Sequence, residues 1–192
     1  MGDQFSMFDG GVPGYPEGFK YQAGLISASE EDDLLSEIRT LPFKQFEFHG
    51  YVGNRRTVSF GWGYDFKTES LQPADDIPAF LLGLREKVAR FAAVAPDLLQ
   101  QALAIEYDPG AGIGWHRDKA VFGEVVGVSL GSSCRFRLRR KAGAKWERVS
   151  LTAEPRSAYL LSGPSRTEWE HSIPPVDTVR YSVTFRNLVR AS

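Results

Sequence analysis

The sequence predicts a mainly β protein with N-terminal helices and a jelly-roll core. From Leu103 onward a series of short strand segments is bounded by glycine, proline or charged residues, and the segments are LAIEY, VVGVSL, CRFRLR, WERVSL, AYLLS and RYSVTFR. Many short strands without intervening helices are typical of a double-sheet β body such as a jelly roll. The length of 192 residues, with 42% hydrophobic and 24% charged residues, fits a single globular domain.

The first elements in chain order are an arm and a helix. Residues 1–20 are rich in glycine and proline, which predicts a flexible N-terminal arm ahead of one domain over residues 21–192. Ser27 and Glu30 then form an S-x-x-E capping box, followed by leucine and isoleucine at helical spacing. These signals predict a helix over about 28–40.

An aromatic stretch over about 43–68 follows this helix. Its hydrophobic residues alternate with small or polar ones, which is a strand period, and they are Val58, Phe60, Trp62, Tyr64 and Phe66. We interpret this alternating set as core, with a stacking platform for a base as the alternative, and Gly53-Asn54 as the turn between two strands. A second helix is predicted over about 77–94, with Asp76 as its cap and Pro78 in its first turn; its apolar face is Phe80, Leu84, Val88 and Phe91.

Composition excludes several classes of protein. No run of about 18 apolar residues is present, so no membrane span is expected. The N-terminus lacks the basic and apolar blocks of a secretory signal, and the lone Cys134 cannot form an internal disulfide. These features predict a cytoplasmic protein.

The net charge of -1 conceals a strong asymmetry. Residues 1–40 hold eight acidic and two basic residues, whereas residues 135–148 hold seven basic residues and one acidic residue. In the basic segment Arg135, Arg137 and Arg139 alternate with apolar residues, so they form a cationic face of one strand. This face favours contact with phosphate groups, although a merely solvated face would have the same pattern.

Two of the three histidines lie in informative positions. His116 and Asp118 form an H-x-D pair, and alternation along an extended backbone places both side chains on one side. An isolated pair of this kind is more often a surface salt bridge or turn cap. With His171 it makes two histidines and one carboxylate, the facial triad that holds non-haem Fe(II), although a lone His171 would fit a core position equally well.

The last predicted strand carries two arginines on one face. Arg180 and Arg186 alternate with the apolar face of RYSVTFR, together with Ser182 and Thr184. Arginines inside a β body are costly unless they meet anions, so the pair could bracket a small dianion. An exposed strand face is the alternative.

The combined motifs resemble the AlkB family of Fe(II)/2-oxoglutarate dioxygenases over roughly residues 100–188. They are Tyr107-Asp108-Pro109-Gly110, His116-x-Asp118, Ser129-Leu130-Gly131, Gly163-x-Ser165-Arg166, His171 and RYSVTFR. The resemblance implies a double-stranded β-helix core over about 100–190, with a β-hairpin nucleotide-recognition lid over about 43–68.

The resemblance also implies the site residues and their roles. Iron would be bound by His116, Asp118 and His171. The 2-oxoglutarate would be held by Tyr107 and Arg180 at its distal carboxylate, and by Arg186 at the carboxylate next to its keto group. Ser182, on the same strand face, completes the predicted co-substrate residues.

The chemistry implied by the resemblance is hydroxylation of a C–H bond with O₂, releasing succinate and CO₂. On an N-methyl group the product loses formaldehyde, so the net result is demethylation. Three positions depart from the family pattern: Ile105 and Ser182 stand where asparagine is common, and Ala120 stands where the prototype repair enzyme has an acid that contacts the damaged base. The departure at Ala120 bears on the recognition of methylated adenine and cytosine.

Candidate substrate contacts cluster in three places. They are Tyr51, Arg55 and Arg56 near the aromatic turn, Trp115, Arg117 and Lys119 around the H-x-D pair, and Arg135, Arg137 and Arg139 on the basic strand. In the arm, Gln4-Phe5-Ser6-Met7-Phe8 resembles the peptide by which bacterial repair proteins dock on the sliding clamp; a hydrophobic tether is the alternative.

The leading functional hypothesis is therefore a monomeric dioxygenase that demethylates alkylated bases in nucleic acid, with DNA preferred over RNA. Two alternatives stay open. One is the same chemistry as a hydroxylase of a modified tRNA base, a protein or a small molecule. The other is a non-catalytic jelly-roll binding module.

Overall fold

The computed structural model describes the backbone of residues 14–48 and 51–189, and side chains within that part except those of residues 46–53. The helices are α1 (Ala28–Ile38), α2 (Ala79–Ala92) and the short α3 (Gly163–Thr167). The strands are β1 (Phe19–Gln22), β2 (Lys44–Phe48), β3 (Tyr51–Phe60), β4 (Trp62–Asp65), β5 (Ser70–Pro73), β6 (Gln101–Tyr107), β7 (Ile113–His116), β8 (Phe122–Leu130), β9 (Cys134–Ala142), β10 (Lys145–Ala153), β11 (Ser157–Leu161), β12 (Glu170–Ile173) and β13 (Arg180–Leu188).

Two sheets face each other, and helices cover the larger one. The major sheet has the strand order β1-β11-β8-β13-β6-β3-β2, and the minor sheet has the order β10-β9-β12-β7. Strands β4 and β5 form a separate hairpin. The predicted jelly roll with N-terminal helices is confirmed, and each of the six predicted C-terminal strands is present.

Strand alternation divides the interior into two cores. One core lies between the sheets and contains residues such as Phe136, Leu138 and Tyr159. The other lies between the major sheet and the helices, and contains Val183 and Phe185 of β13 with Leu84 of α2. Each central strand of the major sheet is therefore buried on both faces, and its alternate residues face the minor sheet.

Helix α1 begins as predicted and ends two residues early. The Ser27 side chain accepts a hydrogen bond from the Glu30 backbone N–H at 3.2 Å, and the Glu30 carboxylate accepts from the Ser27 N–H at 2.8 Å. Glu30 also accepts a bond from Lys87 of α2 at 2.5 Å, and these bonds, that of Lys87 foremost, lower the pKa of Glu30 to about 2. The capping box therefore fixes the start of α1, and the bond from Lys87 ties α1 to α2.

We expect Ser27→Ala to lower the free energy of unfolding by about 1 kcal/mol, because it leaves an N-terminal N–H of α1 without its acceptor. Ser36→Ala in the exposed middle of α1 is the matched control, and it should be neutral or slightly stabilising. Urea unfolding of both variants measures the difference. Equal stabilities of the two variants would contradict the capping role.

Helix α2 starts later than the sequence predicted. Pro78 occupies the cap position, and no side chain there makes a capping hydrogen bond. The assignment of Asp76 as the cap is therefore wrong: Pro78 has extended backbone angles, which place Asp76 two residues outside the helix. Leu84 and Val88 are buried as expected, whereas Phe80 and Phe91 are only partly buried.

The predicted turn at Gly53-Asn54 is also wrong. Both residues lie within β3. Phe48 of β2 pairs with Tyr51 of β3, so the connection between the two strands lies between Phe48 and Tyr51. The strand alternation of the aromatic stretch breaks at Gly61, whose φ is +73°. A Cβ there would lie 2.1 Å from the Gln100 carbonyl oxygen, so glycine is required where the chain leaves β3 for the β4–β5 hairpin.

The body begins within the segment assigned to the arm. Phe19 starts β1, which pairs with β11 at the edge of the major sheet, and the Tyr15 ring stacks on Phe19 at 5.3 Å. The predicted arm boundary at residue 20 therefore lies inside an element, and the clamp-like segment at 4–8 falls outside the described residues. Within the described residues no helix is long and apolar enough to cross a membrane.

Candidate active site

Two neighbouring strands of the minor sheet bring the histidines together. His116 ends β7 and pairs directly with His171 of β12, and their ring centroids are 4.2 Å apart. Asp118 follows in the loop after β7. One possible ligand atom from each of these three residues lies within 4.8 Å of the others, so they could hold a metal ion.

A hydrogen bond orients the His116 ring, and burial keeps His171 in the neutral form that metal ligation requires. His116 Nδ1 lies 2.8 Å from the Gly114 carbonyl oxygen, which can only accept, so Nδ1 carries the proton and Nε2 is free to ligate. Nε2 lies 3.8 Å from Asp118 Oδ1. Burial, then the charge of His116, lowers the pKa of His171 to about 3, which keeps that ring neutral.

The Asp118 carboxylate stays charged although its side chain is only 9% exposed. Burial would raise its pKa, but Arg186 and the two histidines lower it below its usual range. Arg186 Nε and Nη2 each lie 3.4 Å from a different oxygen of Asp118. Arg186 Nη1 donates to Gln101 Oε1 at 2.9 Å, so Gln101 fixes the guanidinium.

Arg180 is the buried residue whose surroundings most clearly require a bound anion. It is fully buried, and its Nε donates to Ser129 Oγ at 3.1 Å. Its Nη1 and Nη2 are buried without a hydrogen-bond partner among the described residues. The Tyr107 ring lies 4.8 Å from the guanidinium carbon. A buried cation with two unused donor nitrogens is costly unless a bound anion accepts from it.

The space between the arginines suits a small dicarboxylate. Arg180, Ser182, Thr184 and Arg186 all face the minor sheet from β13, because Val183 and its alternating neighbours pack toward the helices. These four side chains are buried. The alternative that this strand face is exposed, which the sequence had left open, is therefore wrong. The donor set thus fits 2-oxoglutarate, with one cation for each carboxylate.

Ile105 lies beside this cleft and offers no polar group. It pairs with Ser182 across β6 and β13 and belongs to the core between the sheets. The departure from the family pattern therefore places an apolar side chain beside the co-substrate cleft.

Arg166 is a site residue whose role sequence reasoning missed. It lies in α3, is buried, and donates to the carbonyl oxygens of Lys119, Phe122 and Gly123 at 2.7 to 2.8 Å. The Lys119 carbonyl belongs to the loop that begins directly after Asp118, and the other two belong to the first residues of β8, where that loop ends. Arg166 therefore fixes the loop that positions the carboxylate.

We expect Arg166→Met to weaken metal binding by about tenfold, because the loop after Asp118 and the start of β8 lose three charged hydrogen bonds. The measurement is calorimetric titration of Mn(II) into the metal-free protein. Arg117→Met is the matched control, since Arg117 is exposed and donates to one carbonyl oxygen, that of Thr167. Unchanged Mn(II) affinity in Arg166→Met would contradict the positioning role.

The structure separates the candidate substrate residues into three groups. Arg55 pairs with Tyr107 and faces the cleft between the sheets, while Arg56 turns to the helix side and forms a salt bridge with Glu106. The Tyr51 side chain lies outside the described residues. Arg117 and Lys119 flank Asp118 in the loop. The remaining candidates lie on the outer face of the minor sheet, opposite the histidines: Trp115, Arg135, Arg137 and Arg139.

An aromatic wall adjoins the triad, and the sequence had assigned part of it to the core. The Tyr64 ring lies 5.1 Å from that of Phe66 and 6.5 Å from that of Phe122. Lys119 Nζ lies 5.2 Å from the Tyr64 ring, and Arg186 lies 5.1 Å from the Phe122 ring. The β4–β5 hairpin thus places partly buried aromatic rings next to the loop that carries Asp118.

Comparisons with known proteins agree with this geometry. Residues 18–186 match the family model of the 2OG-Fe(II) oxygenase superfamily. The chain is 27% identical over 187 residues to mouse tRNA (carboxymethyluridine(34)-5-O)-methyltransferase ALKBH8, covering 92% of this chain and 27% of that protein. It is 25% identical to the Arabidopsis thaliana alkylated DNA repair protein ALKBH8 homolog, covering 87% of this chain and 54% of that protein.

This chain thus spans about a quarter of the mouse relative and about half of the Arabidopsis relative. Among solved structures, OsALKBH1 has the same fold, with a TM-score of 0.64 at 18% identity over 88% of this chain and 96% of that one. The superfamily uses Fe(II), 2-oxoglutarate and O₂, and His116, Asp118 and His171 could form the iron site. The chain belongs to the 2OG-Fe(II) oxygenase superfamily and is an AlkB-like dioxygenase.

Proposed function

We propose that this enzyme oxidises a modified base in nucleic acid, with His116, Asp118 and His171 as the iron ligands and Arg180 and Arg186 as the co-substrate clamp. The observation that carries the proposal is the buried Arg180 guanidinium with two unused donor nitrogens in the same cleft as the triad. A module that binds no anion in this cleft would have no need of that cation. Bound Fe(II) and 2-oxoglutarate together supply the activation of O₂ that hydroxylates a C–H bond.

Different residues of the cleft bind the two carboxylates of 2-oxoglutarate. Arg180 and Tyr107 receive the distal carboxylate, and the Arg180 guanidinium is held in place by Ser129. Arg186 receives the other carboxylate while keeping its contact with Asp118, so the co-substrate and the metal ligand share one cation. Burial of both arginines excludes water from the cleft and strengthens these ion pairs.

The substrate base would enter along the aromatic wall. Tyr64 and Phe66 offer ring surfaces for stacking, and Lys119 next to them offers a charge for a flanking phosphate. Lys119 directly follows the metal ligand Asp118, so a base on this wall lies beside the triad. This arrangement supports a nucleic-acid substrate more than a small apolar one.

The two relatives suggest different nucleic acids. The Arabidopsis relative is named for repair of alkylated DNA, and the mouse relative for methylation of a carboxymethyluridine in tRNA. Demethylation of DNA is therefore one candidate reaction, and hydroxylation of a modified tRNA base is the second. Ala120 offers no carboxylate to an alkylated adenine or cytosine, which favours the second.

The deciding experiment is a panel of methylated DNA oligonucleotides, methylated RNA oligonucleotides and tRNA carrying modified uridines. Each substrate is incubated with Fe(II), 2-oxoglutarate and O₂. Mass spectrometry detects the net loss of CH₂ on demethylation or the gain of one oxygen atom on hydroxylation. Succinate formed only with a peptide or small molecule, and with no nucleic acid, would overturn the proposal.

A further inference from the structure

The outer face of the minor sheet carries positive charge that almost nothing opposes. Residues of β9 that alternate with the core residues Phe136 and Leu138 point outward, as do their register partners on β10 and β12. This outer face comprises Arg135, Arg137, Arg139, Lys141, Trp146, Arg148, Ser150, Thr152, Glu170 and Ser172, with Trp115 of β7. It holds five cations and one carboxylate, in a chain whose net charge is -1.

Two indole rings order the arginines of this face. The Arg139 guanidinium carbon lies 4.4 Å from the Trp115 ring and 4.3 Å from the Trp146 ring, and that of Arg137 lies 4.9 Å from Trp115. Of the five cations, Arg139 alone forms a salt bridge within the described part of the chain, with Glu170 at 2.6 Å. Stacking holds the guanidinium planes and leaves N–H edges for a further acceptor.

The face ends at the active site. Strand β7 is the edge of the minor sheet, and its last two residues are Trp115 on the outer face and His116 at the triad. A polymer lying across the outer face therefore reaches the triad by passing over one strand edge.

We propose that the outer face of the minor sheet binds the sugar-phosphate backbone of the strand that flanks the target base. The proposal rests on the proposed nucleic-acid substrate and adds a second contact region to it. Cations at alternate positions of β9 are about 6.6 Å apart, so they present a repeated positive charge to a repeated negative one. The interleaved indoles favour nucleic acid over an acidic peptide, since Trp146 is 39% exposed and can stack on a base.

The test compares wild type with the triple variant Arg135→Gln, Arg137→Gln and Arg139→Gln. Binding of a labelled single-stranded oligonucleotide to the anaerobic enzyme with Fe(II) and 2-oxoglutarate is measured by fluorescence anisotropy across salt concentrations. The matched control, Arg39→Gln, Lys87→Gln and Arg90→Gln, removes the same charge from α2 and from the residue that follows α1, on the helix side. We expect a tenfold or larger loss of affinity in the first variant, and a slope of log affinity against log salt that is lower by about 2.

The outcomes separate this proposal from the proposed function. Equal losses in both triple variants would show that total charge matters rather than this face, and unchanged affinity in the first would show a solvated face; either overturns the proposal. If wild type oxidises no nucleic acid, the proposed function fails. If wild type oxidises nucleic acid and the first variant binds it unchanged, only the outer-face proposal fails.

A second, independent observation concerns Tyr159 in the cleft. Tyr159 of β11 pairs with Gly127 of β8, which pairs in turn with Thr184 of β13. A Cβ on Gly127 would lie 2.2 Å from Tyr159 Cζ and 2.4 Å from its hydroxyl oxygen, so the ring lies across the glycine toward β13. The Tyr159 hydroxyl lies near the strand segment between Arg180 and Arg186, since Gly127 pairs with Thr184 in that segment.

We infer that the Tyr159 hydroxyl donates a hydrogen bond to the bound 2-oxoglutarate, a contact for which Gly127 makes the space. Tyr159→Phe should weaken 2-oxoglutarate binding about tenfold, since a bond to a charged acceptor is lost. Calorimetric titration of 2-oxoglutarate into the Mn(II)-loaded protein measures this directly, and kinetics should show a raised KM for 2-oxoglutarate with little change in kcat.

Tyr21→Phe is the matched control, because the Tyr21 hydroxyl accepts from the Glu154 N–H outside the cleft. Its 2-oxoglutarate affinity should equal that of wild type. Unchanged affinity in Tyr159→Phe, or an equal loss in both variants, would overturn the role of Tyr159. Loss of 2-oxoglutarate binding in wild type itself would instead count against the proposed function.

Discussion

Replacing Asp118 by alanine should reduce Fe(II)-dependent succinate formation to background. The substitution removes the carboxylate of the triad and leaves two imidazoles, those of His116 and His171. Outer-shell substitutions already cost about 10–100-fold in metal affinity, so loss of a direct ligand should cost about 100-fold or more. Calorimetric Mn(II) titration and succinate assays measure the two effects separately.

Asp177→Ala provides the control for this prediction, because Asp177 is an exposed carboxylate in the loop before β13. It should leave metal affinity and succinate formation unchanged. Substantial iron-dependent turnover in Asp118→Ala would show that the metal is held elsewhere.

Replacing Arg180 by methionine should have opposite effects on function and stability. Binding of 2-oxoglutarate should weaken by about 100-fold, because a buried guanidinium with two unused donor nitrogens is lost. The protein without ligands should be as stable as wild type or more stable, since methionine removes a buried charge with two unpaired nitrogens. Urea unfolding without ligands and calorimetric titration of 2-oxoglutarate measure the pair of effects.

Arg180→Lys separates charge from geometry in this prediction. Lysine keeps one positive charge but lacks the planar pair of donors, so it should recover part of the 2-oxoglutarate affinity. Unchanged affinity in Arg180→Met would contradict the clamp, as would a large loss of stability in the ligand-free protein.

Sequence reasoning succeeded where the signal was local and periodic. The six C-terminal strands and the start of α1 were predicted because alternation and the Ser27 capping box lie within a few residues of each other. Strands β1, β7 and β12 were missed, since four residues are too few to establish a period. The turn at Gly53-Asn54 was misplaced because the pairing of β2 with β3, rather than turn residues, sets its position.

The candidate site shows the same division. The three possible metal ligands were identified from sequence because the chemistry restricts them to few residue types. The supporting residues were not, because their partners are distant in the chain: Gln101 meets Arg186 across 85 positions, and Arg166 meets the loop after Asp118 across more than 40. The sequence also could not show that the arginines of β9 point away from the histidines. Their direction depends on which face of the minor sheet the major sheet covers.

The contact between Arg186 and Asp118 makes the metal and co-substrate sites thermodynamically linked. Without metal, the guanidinium is the counter-ion of Asp118 and is only partly available to another anion. A cation on the triad would weaken this ion pair without breaking the contact, so the guanidinium could attract a second anion more strongly and each ligand should raise the affinity for the other by the same factor. This reciprocity would favour ordered assembly, in which the metal precedes the dianion, and it would limit the population of enzyme that holds 2-oxoglutarate without iron.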